Sequence, residues 1–378
     1  MESEQKKILF VTLRSDIGGG PYHVDLLTNN LQNDFVIFIA SPLNEPYGIR
    51  WKNTLGREKF CLLPFRSFKV KSLFKLISFI KHNKIEIVHA HGKGAGVYSR
   101  LVKFFYPDVK VVFTFHGLHY QNYGFLKKRI YIFSEKLFNI FTTQYINVSN
   151  GEKDICLRYK LFKSSKSVVV YNAVEALQIN RAKKSKIRKQ INLPSEKFIV
   201  ISSVRFNHEK NLRDTIRLAD KLRGNTSIFF VIIGDGEERA MIQKMISDKK
   251  LTNVMLTGFV KNVNEYLNAA DLYLSTSLWE GMPYSVIEAA AAGLPIVASN
   301  VTGNNEVVEN EVNGFLFDLT MLRDAAQKIM DILNSKDLQI KFSKNSINVF
   351  EEKFELSIMI EKMKIIYKKI IDNDEIKD

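Results

Sequence analysis

The chain has 378 residues, 46% of them hydrophobic and 25% charged, so it can bury real cores and is not a disordered polymer; at this length two domains are expected. A net charge of +15 is that of a lysine-rich surface set by composition or of a chain with an anionic partner. That partner could be nucleic acid, an anionic membrane surface or a phosphorylated small molecule, and charge alone does not choose among them.

The chain begins MESEQKKILFVTLRSD. Its apolar run, Ile8 to Leu13, is shorter than a signal-peptide core and is ended by Arg14. No later stretch approaches the ~20 apolar residues of a membrane-spanning helix, so the expected location is cytoplasmic. Cys61 and Cys156 are the only cysteines and neither lies in a CxxC pair, which argues against a disulfide framework and a structural zinc.

In the first half, KKILFVTL, FVIFIA, EIVHAH, VVFTFHG and QYINVS are short and rich in β-branched and aromatic residues, as buried strands are. Helical patterns separate them: YHVDLLTNNLQ after a glycine run, SLFKLISFIKHN with i, i+3, i+4 apolar spacing, and GVYSRLVKFF. This β-α-β rhythm predicts a parallel sheet with helices on both faces. It weakens after VVVYNAV, passes through a polar, basic stretch, and restarts at Lys197 with KFIVISSV, SIFFVIIGDG, NVMLTGF, LYLSTS, PIVAS and GFLF. The expected organisation is a first domain over 1–172, a linker over 173–195 with a short basic helix, and a second domain over 196–355. A C-terminal amphipathic helix over 356–378 is expected to pack back on the first domain. Ligands bind at the carboxyl ends of such strands, and two α/β units facing a central cleft would hold one ligand there.

The candidate residues fall at strand ends. Gly18, Gly19 and Gly20 follow the first strand, where glycines let backbone N–H groups approach a phosphate; a tight turn without ligand is the rival reading. The HAH of His89 and His91 resembles metal spacing, but no adjacent acid completes a site, and no metal is expected. His116, before a glycine at a strand end, is placed to donate a hydrogen bond into a cleft. Arg205 and Lys210, five apart across a turn, suit a diphosphate, the arginine as a fork and the lysine as a point charge. Gly234 in IIGDG lies where the backbone would pass close to a nucleotide.

SLWEGMPYSVIEAAAAGLPIVAS carries Glu280 and Glu288. Pro283 suits a first helical turn, Gly293 and Pro295 stop the helix, and Met282, Tyr284 and Ser285 cluster at its anion-attracting start. Glu288 is placed to accept from a ribose 2′,3′-diol and Glu280 from hydroxyls of a sugar beyond the diphosphate.

These segments together resemble the retaining glycosyltransferases of family GT4, which have the GT-B fold of two Rossmann-like domains. EGMPYSVIE resembles the family's E-x7-E signature and VRFNHEKN its basic loop, with Val204 in place of the usual glycine; GGGPYHVDLL, VIIGDG, AAGLPIVAS and NGFLF are similar to further family segments. The resemblance implies that Arg205 and Lys210 bind the donor diphosphate and stabilise the leaving charge, that Gly19 approaches it from the first domain, and that Glu288 holds the ribose. Glu280 and His116 would contact the donor sugar. It also implies same-face displacement without an essential metal or other cofactor, a UDP-sugar donor, and a saccharide or polyprenyl-diphosphate-linked acceptor in bacterial surface polysaccharide synthesis. SLFKLISFIKHNK and FLKKRIYIFSEKLFNIF mix aromatic and basic residues and are expected to rest on the anionic inner face of the plasma membrane, the rival reading being ordinary domain helices with lysines on the wet face. The competing functions are a nonhydrolysing nucleotide-sugar epimerase of the same fold, which lacks support from carboxylates at strand ends of the first half, and a basic nucleic-acid-binding protein, for which no RNP motif, zinc finger or recognition helix is present.

Overall fold

The structure is a computed structural model that describes residues 5–118, 120, 123–179 and 183–375. Residues 1–4 at the amino terminus, 180–182 of the expected linker and 376–378 of the expected last helix lie outside the described residues. The chain divides after Asn172 into two units, and the segment from Ser357 onward belongs with the first.

In unit 1 the chain runs β1 (Lys7–Thr12), α1 (Gly19–Leu31), β2 (Val36–Ser41), α2 (Tyr47–Leu55), β3 (Phe60–Leu62), α3 (Val70–Asn83), β4 (Ile87–His91), α4 (Lys93–Phe105), β5 (Lys110–Thr114), α5 (Phe125–Phe138), β6 (Gln144–Asn147), α6 (Asn150–Arg158) and β7 (Ser167–Val169). The strands form a parallel sheet ordered β3-β2-β1-β4-β5-β6-β7. Ile8 to Val11 are buried without alternation, because helices cover both faces of a parallel sheet. The short strand β3 and the helix α2 were not apparent in the pattern. Trp51 fastens α2 by donating its indole N–H to Asp25 Oδ1 at 2.9 Å.

Unit 2 runs α7 (Lys184–Gln190), β8 (Phe198–Ser203), α8 (Leu212–Lys221), β9 (Ile228–Ile233), α9 (Arg239–Asp248), β10 (Val254–Gly258), α10 (Val263–Ala269), β11 (Leu272–Ser275), α11 (Tyr284–Ala291), β12 (Ile296–Ser299), α12 (Asn304–Val307), β13 (Gly314–Phe317), α13 (Leu322–Asn334) and α14 (Lys336–Lys353). Its parallel sheet is ordered β10-β9-β8-β11-β12-β13. The expected basic helix of the linker is α7, and it packs into unit 2 rather than lying free. Arg188 is buried there, donating to the carbonyls of Ala269, Ser195 and Lys197 at 2.8–2.9 Å and to Asp271 Oδ2 at 2.5 Å. A buried guanidinium is tolerated because its donors are taken.

The last helix, α15 (Leu356–Glu375), packs on unit 1. Tyr367 is fully buried, with its hydroxyl 2.6 Å from His89 Nδ1, and Lys364 pairs with Asp34 at 2.9 Å.

Candidate active site

In unit 2, β8 and β11 are neighbours in space, but the chain leaves them toward opposite edges of the sheet. That is the switch point where a doubly wound sheet opens a crevice beyond its carboxyl ends. The loop after β8 carries Arg205, which is exposed, and Phe206, which is buried and anchors the loop. Phe206 donates its N–H to the Asp235 carbonyl at 2.9 Å, and Glu238 donates back to the Phe206 carbonyl at 3.0 Å. Gly234 ends β9 with φ +124°, and a Cβ there would stand 1.9 Å from the Val204 carbonyl oxygen, so this position admits glycine only. The same close approach holds the loop that presents Arg205.

The loop after β11 is stitched to the basic loop. Thr276 Oγ1 lies 3.2 and 3.1 Å from the carbonyls of Lys210 and Asn211, and Leu278 donates its N–H to the Glu209 carbonyl at 2.8 Å. These bonds bring Lys210 Nζ to 2.6 Å from Glu280 Oε1 and 3.6 Å from Glu209 Oε1. Ser277 donates to the same Glu280 oxygen at 2.7 Å. Burial works against the charge of Lys210, yet the two carboxylates outweigh it and hold the ammonium above its ordinary pKa.

Pro283 is the N-cap of α11, in extended conformation, one position before the helix rather than in its first turn. Tyr284 and Ser285 open the helix, and Met282 is buried beneath its start. One and a half turns in, Glu288 is half-buried, and burial raises its carboxyl to about 7. The buried Tyr273 hydroxyl donates to the Ser203 carbonyl at 3.2 Å, and burial raises it above the ordinary phenol range. Unit 2 thus sets Arg205, Lys210, Gly234, Glu280, Met282, Tyr284, Ser285 and Glu288 in the segments that follow β8, β9 and β11, and of these Lys210 and Glu280 are in direct contact. Glu209, Ser277, Thr276 and Tyr273 were missed: hydroxyls and a second acid in these loops give no signal until the loops meet.

Unit 1 has its own switch point, between β1 and β4. Gly18 is the N-cap of α1 and Gly19 its first residue. The Gly18 backbone is extended, and a Cβ there would meet Arg14 Nη2 at 2.8 Å, a guanidinium swung over the turn by its bonds to Asp16 and the Ile17 carbonyl. What opposes a side chain at this turn is that movable guanidinium and not the dihedrals of Gly18.

His116 follows β5 in the left-handed region, φ +58°. The adjacent Gly117 N–H donates to Glu152 Oε1 at 2.5 Å, while Glu152 Oε2 accepts from Val148 N at 3.0 Å. Ser149 caps α6 by accepting from Glu152 N, so the Ser149-x-x-Glu152 capping pattern was the available sign of this acid. His116 Nε2 lies 3.0 Å from His91 Nδ1, with the rings stacked 5.3 Å apart. His23 from α1 joins them, its Nδ1 3.1 Å from Asn172 Oδ1. Burial lowers His23 to about 4 and holds His91 well below its ordinary value, so both are neutral at pH 7. His89, by contrast, is engaged by Tyr367 and Thr114. The His89 ring still lies 4.0 Å from that of His91, but it is the ligand nitrogens of His23, His91 and His116 that lie within 4.8 Å of one another. They are the described residues that could hold a metal, although bonds of about 2.0–2.1 Å would require the set to contract.

Comparison with known proteins gives the family and the fold. Residues 17–176 match the family model Glycosyltransferase Family 4, and residues 183–349 match Glycosyl transferases group 1. The UDP-Gal:alpha-D-GlcNAc-diphosphoundecaprenol alpha-1,3-galactosyltransferase of Escherichia coli is 30% identical over 316 residues, covering 80% of this chain and 80% of that protein. The O-antigen biosynthesis glycosyltransferase WbnH of Escherichia coli is 27% identical over 315 residues, covering 83% and 87%. Among solved structures, Anabaena HepE in complex with UDP and glucose superposes with a TM-score of 0.84 at 17% identity, covering 96% of this chain and all of that one. A Rickettsia africae glycosyltransferase gives 0.83 at 20% identity, covering 98% and 100%. Two Rossmann-like units with these loops at their strand ends, and a relative matched over four-fifths of both chains, lead to one conclusion: the chain belongs to glycosyltransferase family 4, has the two domains of the GT-B fold, and is a glycosyltransferase.

Proposed function

We propose that this glycosyltransferase moves a hexose from a UDP-sugar, with retention of anomeric configuration, to a saccharide carried on polyprenyl diphosphate in bacterial surface polysaccharide assembly. The observation that carries the reading is the gathering of Arg205, Lys210, Glu280 and Glu288 at the carboxyl end of one parallel sheet, beside the start of α11. Support for the donor comes from the relative named for UDP-Gal and from HepE with UDP and glucose; support for the acceptor comes from the diphosphoundecaprenol in that relative's name. An alpha linkage made from an alpha-linked donor such as UDP-Gal is retention.

In this reading Lys210 leaves Glu280 for the diphosphate, and Arg205 forks onto its oxygens. The freed Glu280 accepts from a sugar hydroxyl, and ionised Glu288 accepts from the ribose diol. Met282, Tyr284 and Ser285 set the helix start toward the donor's negative charge. Gly18, Gly19 and His116 in unit 1 keep the donor-contacting roles that the resemblance implies. The bond between the anomeric carbon and the β-phosphate oxygen breaks as the acceptor oxygen bonds the same face. The acceptor proton passes to the departing phosphate, and UDP leaves. The positive charge that stabilises this leaving group comes from the two cations, and no metal or other cofactor is given a role.

The test is a panel of UDP- and GDP-sugars scored by protection against thermal unfolding, since a ligand bound to the native state raises stability by mass action. The protecting sugar is then incubated with a polyprenyl-diphosphate-linked acceptor, and the product is read by mass spectrometry and by the anomeric coupling constant. Addition of one hexose with retained configuration is expected. Isomerisation of the donor without acceptor, or protection by GDP-sugars alone, would overturn the reading.

A further inference from the structure

We propose that α5 and the aromatic patch beside it form a face that docks peripherally on an anionic lipid surface. The starting observation is an inverted helix. Leu126, Ile130, Phe133, Leu137 and, in the turn that follows, Ile140 are spaced 4-3-4-3, the apolar stripe that ordinarily faces a core, and all five are exposed. The buried side chains of α5 are instead Tyr131 and Glu135.

Electrostatics decides which stripe turns inward. Arg100 is fully buried and donates to Glu135 Oε2 at 2.8 Å and to Thr142 Oγ1 at 3.0 Å. Its guanidinium also lies 3.9 Å from the centroid of the Phe113 ring. Rolling α5 over would leave that cation buried and unpaired.

The exposed stripe is continued by rings from two other helices. Phe104 lies 5.8 Å from Phe141, and Phe105 lies 6.0 Å from Phe74. Thirteen of the twenty large apolar side chains exposed among the described residues fall between residues 62 and 141. The same span holds fourteen Lys and Arg against three Asp and Glu. Two of those acids are already paired, Glu86 with Lys6 and Glu135 with Arg100.

A continuous apolar patch rimmed by one sign of charge marks an interaction surface. Association with a second copy would bring like charges together, whereas anionic headgroups neutralise them while acyl chains take the rings. No helix among the described residues is long and apolar enough to cross a membrane, so the docking is at the surface. A lipid-linked acceptor would be presented there, but the inference stands on the helix alone and its test uses no sugar nucleotide, so its failure and that of the transfer reading are separable.

The experiment is flotation of the full chain with vesicles of phosphatidylcholine alone or with roughly one-third phosphatidylglycerol, at low and high salt. Partitioning at least about tenfold stronger onto the anionic vesicles, weakened by salt, is expected. Leu126→Ser/Ile130→Ser/Phe133→Ser should cut it about tenfold or more, and Lys127→Glu/Arg129→Glu should abolish the lipid preference. Because these side chains are exposed, the thermal midpoint should hold. Phe133→Trp should be quenched by brominated lipid beyond the wild-type signal. Absence of partitioning, equal binding by the variants, or a concentration-dependent dimer abolished by the serine substitutions with vesicle binding unchanged would overturn the proposal.

Discussion

Lys210 Nζ lies 2.6 Å from Glu280 Oε1, joining the loops that follow two adjacent strands of unit 2. Each is the other's principal counter-charge before any ligand arrives. Lys210→Ala would leave the nearly buried Glu280 with only Ser277. Because Lys210 keeps some access to solvent, the expected cost is about 1–3 kcal/mol, less than for a wholly buried pair. Lys210→Met with Glu280→Gln should recover most of that loss while leaving donor turnover down by roughly 10²-fold or more. Urea midpoints and kcat/KM for the donor found in the panel check both outcomes. Equal stability of single and double variants would mean that the pair is not coupled.

Glu288 makes the site sensitive to pH. Its folded pKa is about 7, raised from 4.5 by burial. A group raised in this way adds stability that is fully present below about pH 4.5 and is lost as pH rises through 7, on the order of 3 kcal/mol in all. In the proposed role, binding of a ribose diol has the opposite sign, because the ionised carboxylate would be the acceptor. Affinity for a UDP-sugar should rise about tenfold from pH 6 to pH 8. In Glu288→Gln the profile should be flat and low. Calorimetric titration at the two pH values decides this, and an unchanged slope in the variant would move the titration to another group.

Gly234→Ala tests the backbone contact beneath Arg205. The new Cβ would stand 1.9 Å from the Val204 carbonyl oxygen, at a φ that L residues rarely adopt. A loss of roughly 3–5 kcal/mol is expected, with the denaturant midpoint falling at constant m. Gly18→Ala makes the contrasting case, since the obstruction there is the movable end of Arg14. A loss within about 1 kcal/mol is expected for it.

His116→Ala should separate binding from turnover. With the side chains of unit 2 proposed to hold UDP untouched, UDP affinity should stay within about twofold while kcat falls on the order of 10²-fold. Glu152→Gln should act less directly. It weakens the acceptor for Gly117 N and Val148 N, costs about 1–3 kcal/mol of stability, and loosens the turn that presents His116. If UDP affinity falls in parallel with kcat in His116→Ala, the histidine is part of nucleotide binding.

Much of the candidate site was legible because parallel βαβ units place the loops after their strands on one edge. Arg205, Lys210, Gly234, Glu280 and Glu288 could therefore be nominated from their positions alone. Glu152 showed only as a helix cap, and Tyr273 looked like any buried strand aromatic. Their neighbours at the site come from 35 and 70 residues away, at separations no local pattern reports.

By itself the sequence determined two doubly wound units and which residues end their strands, because hydrophobic period and glycine or proline punctuation are local properties of a chain. The tertiary structure alone decided who meets whom. Lys210 is neutralised by Glu280, burial carries Glu288 to a pKa near 7, and His23 closes on His91 and His116. It also turned α5 outward. Periodicity shows that a helix has an apolar side, but a buried Arg100, 35 residues before Glu135, determines which side faces the core.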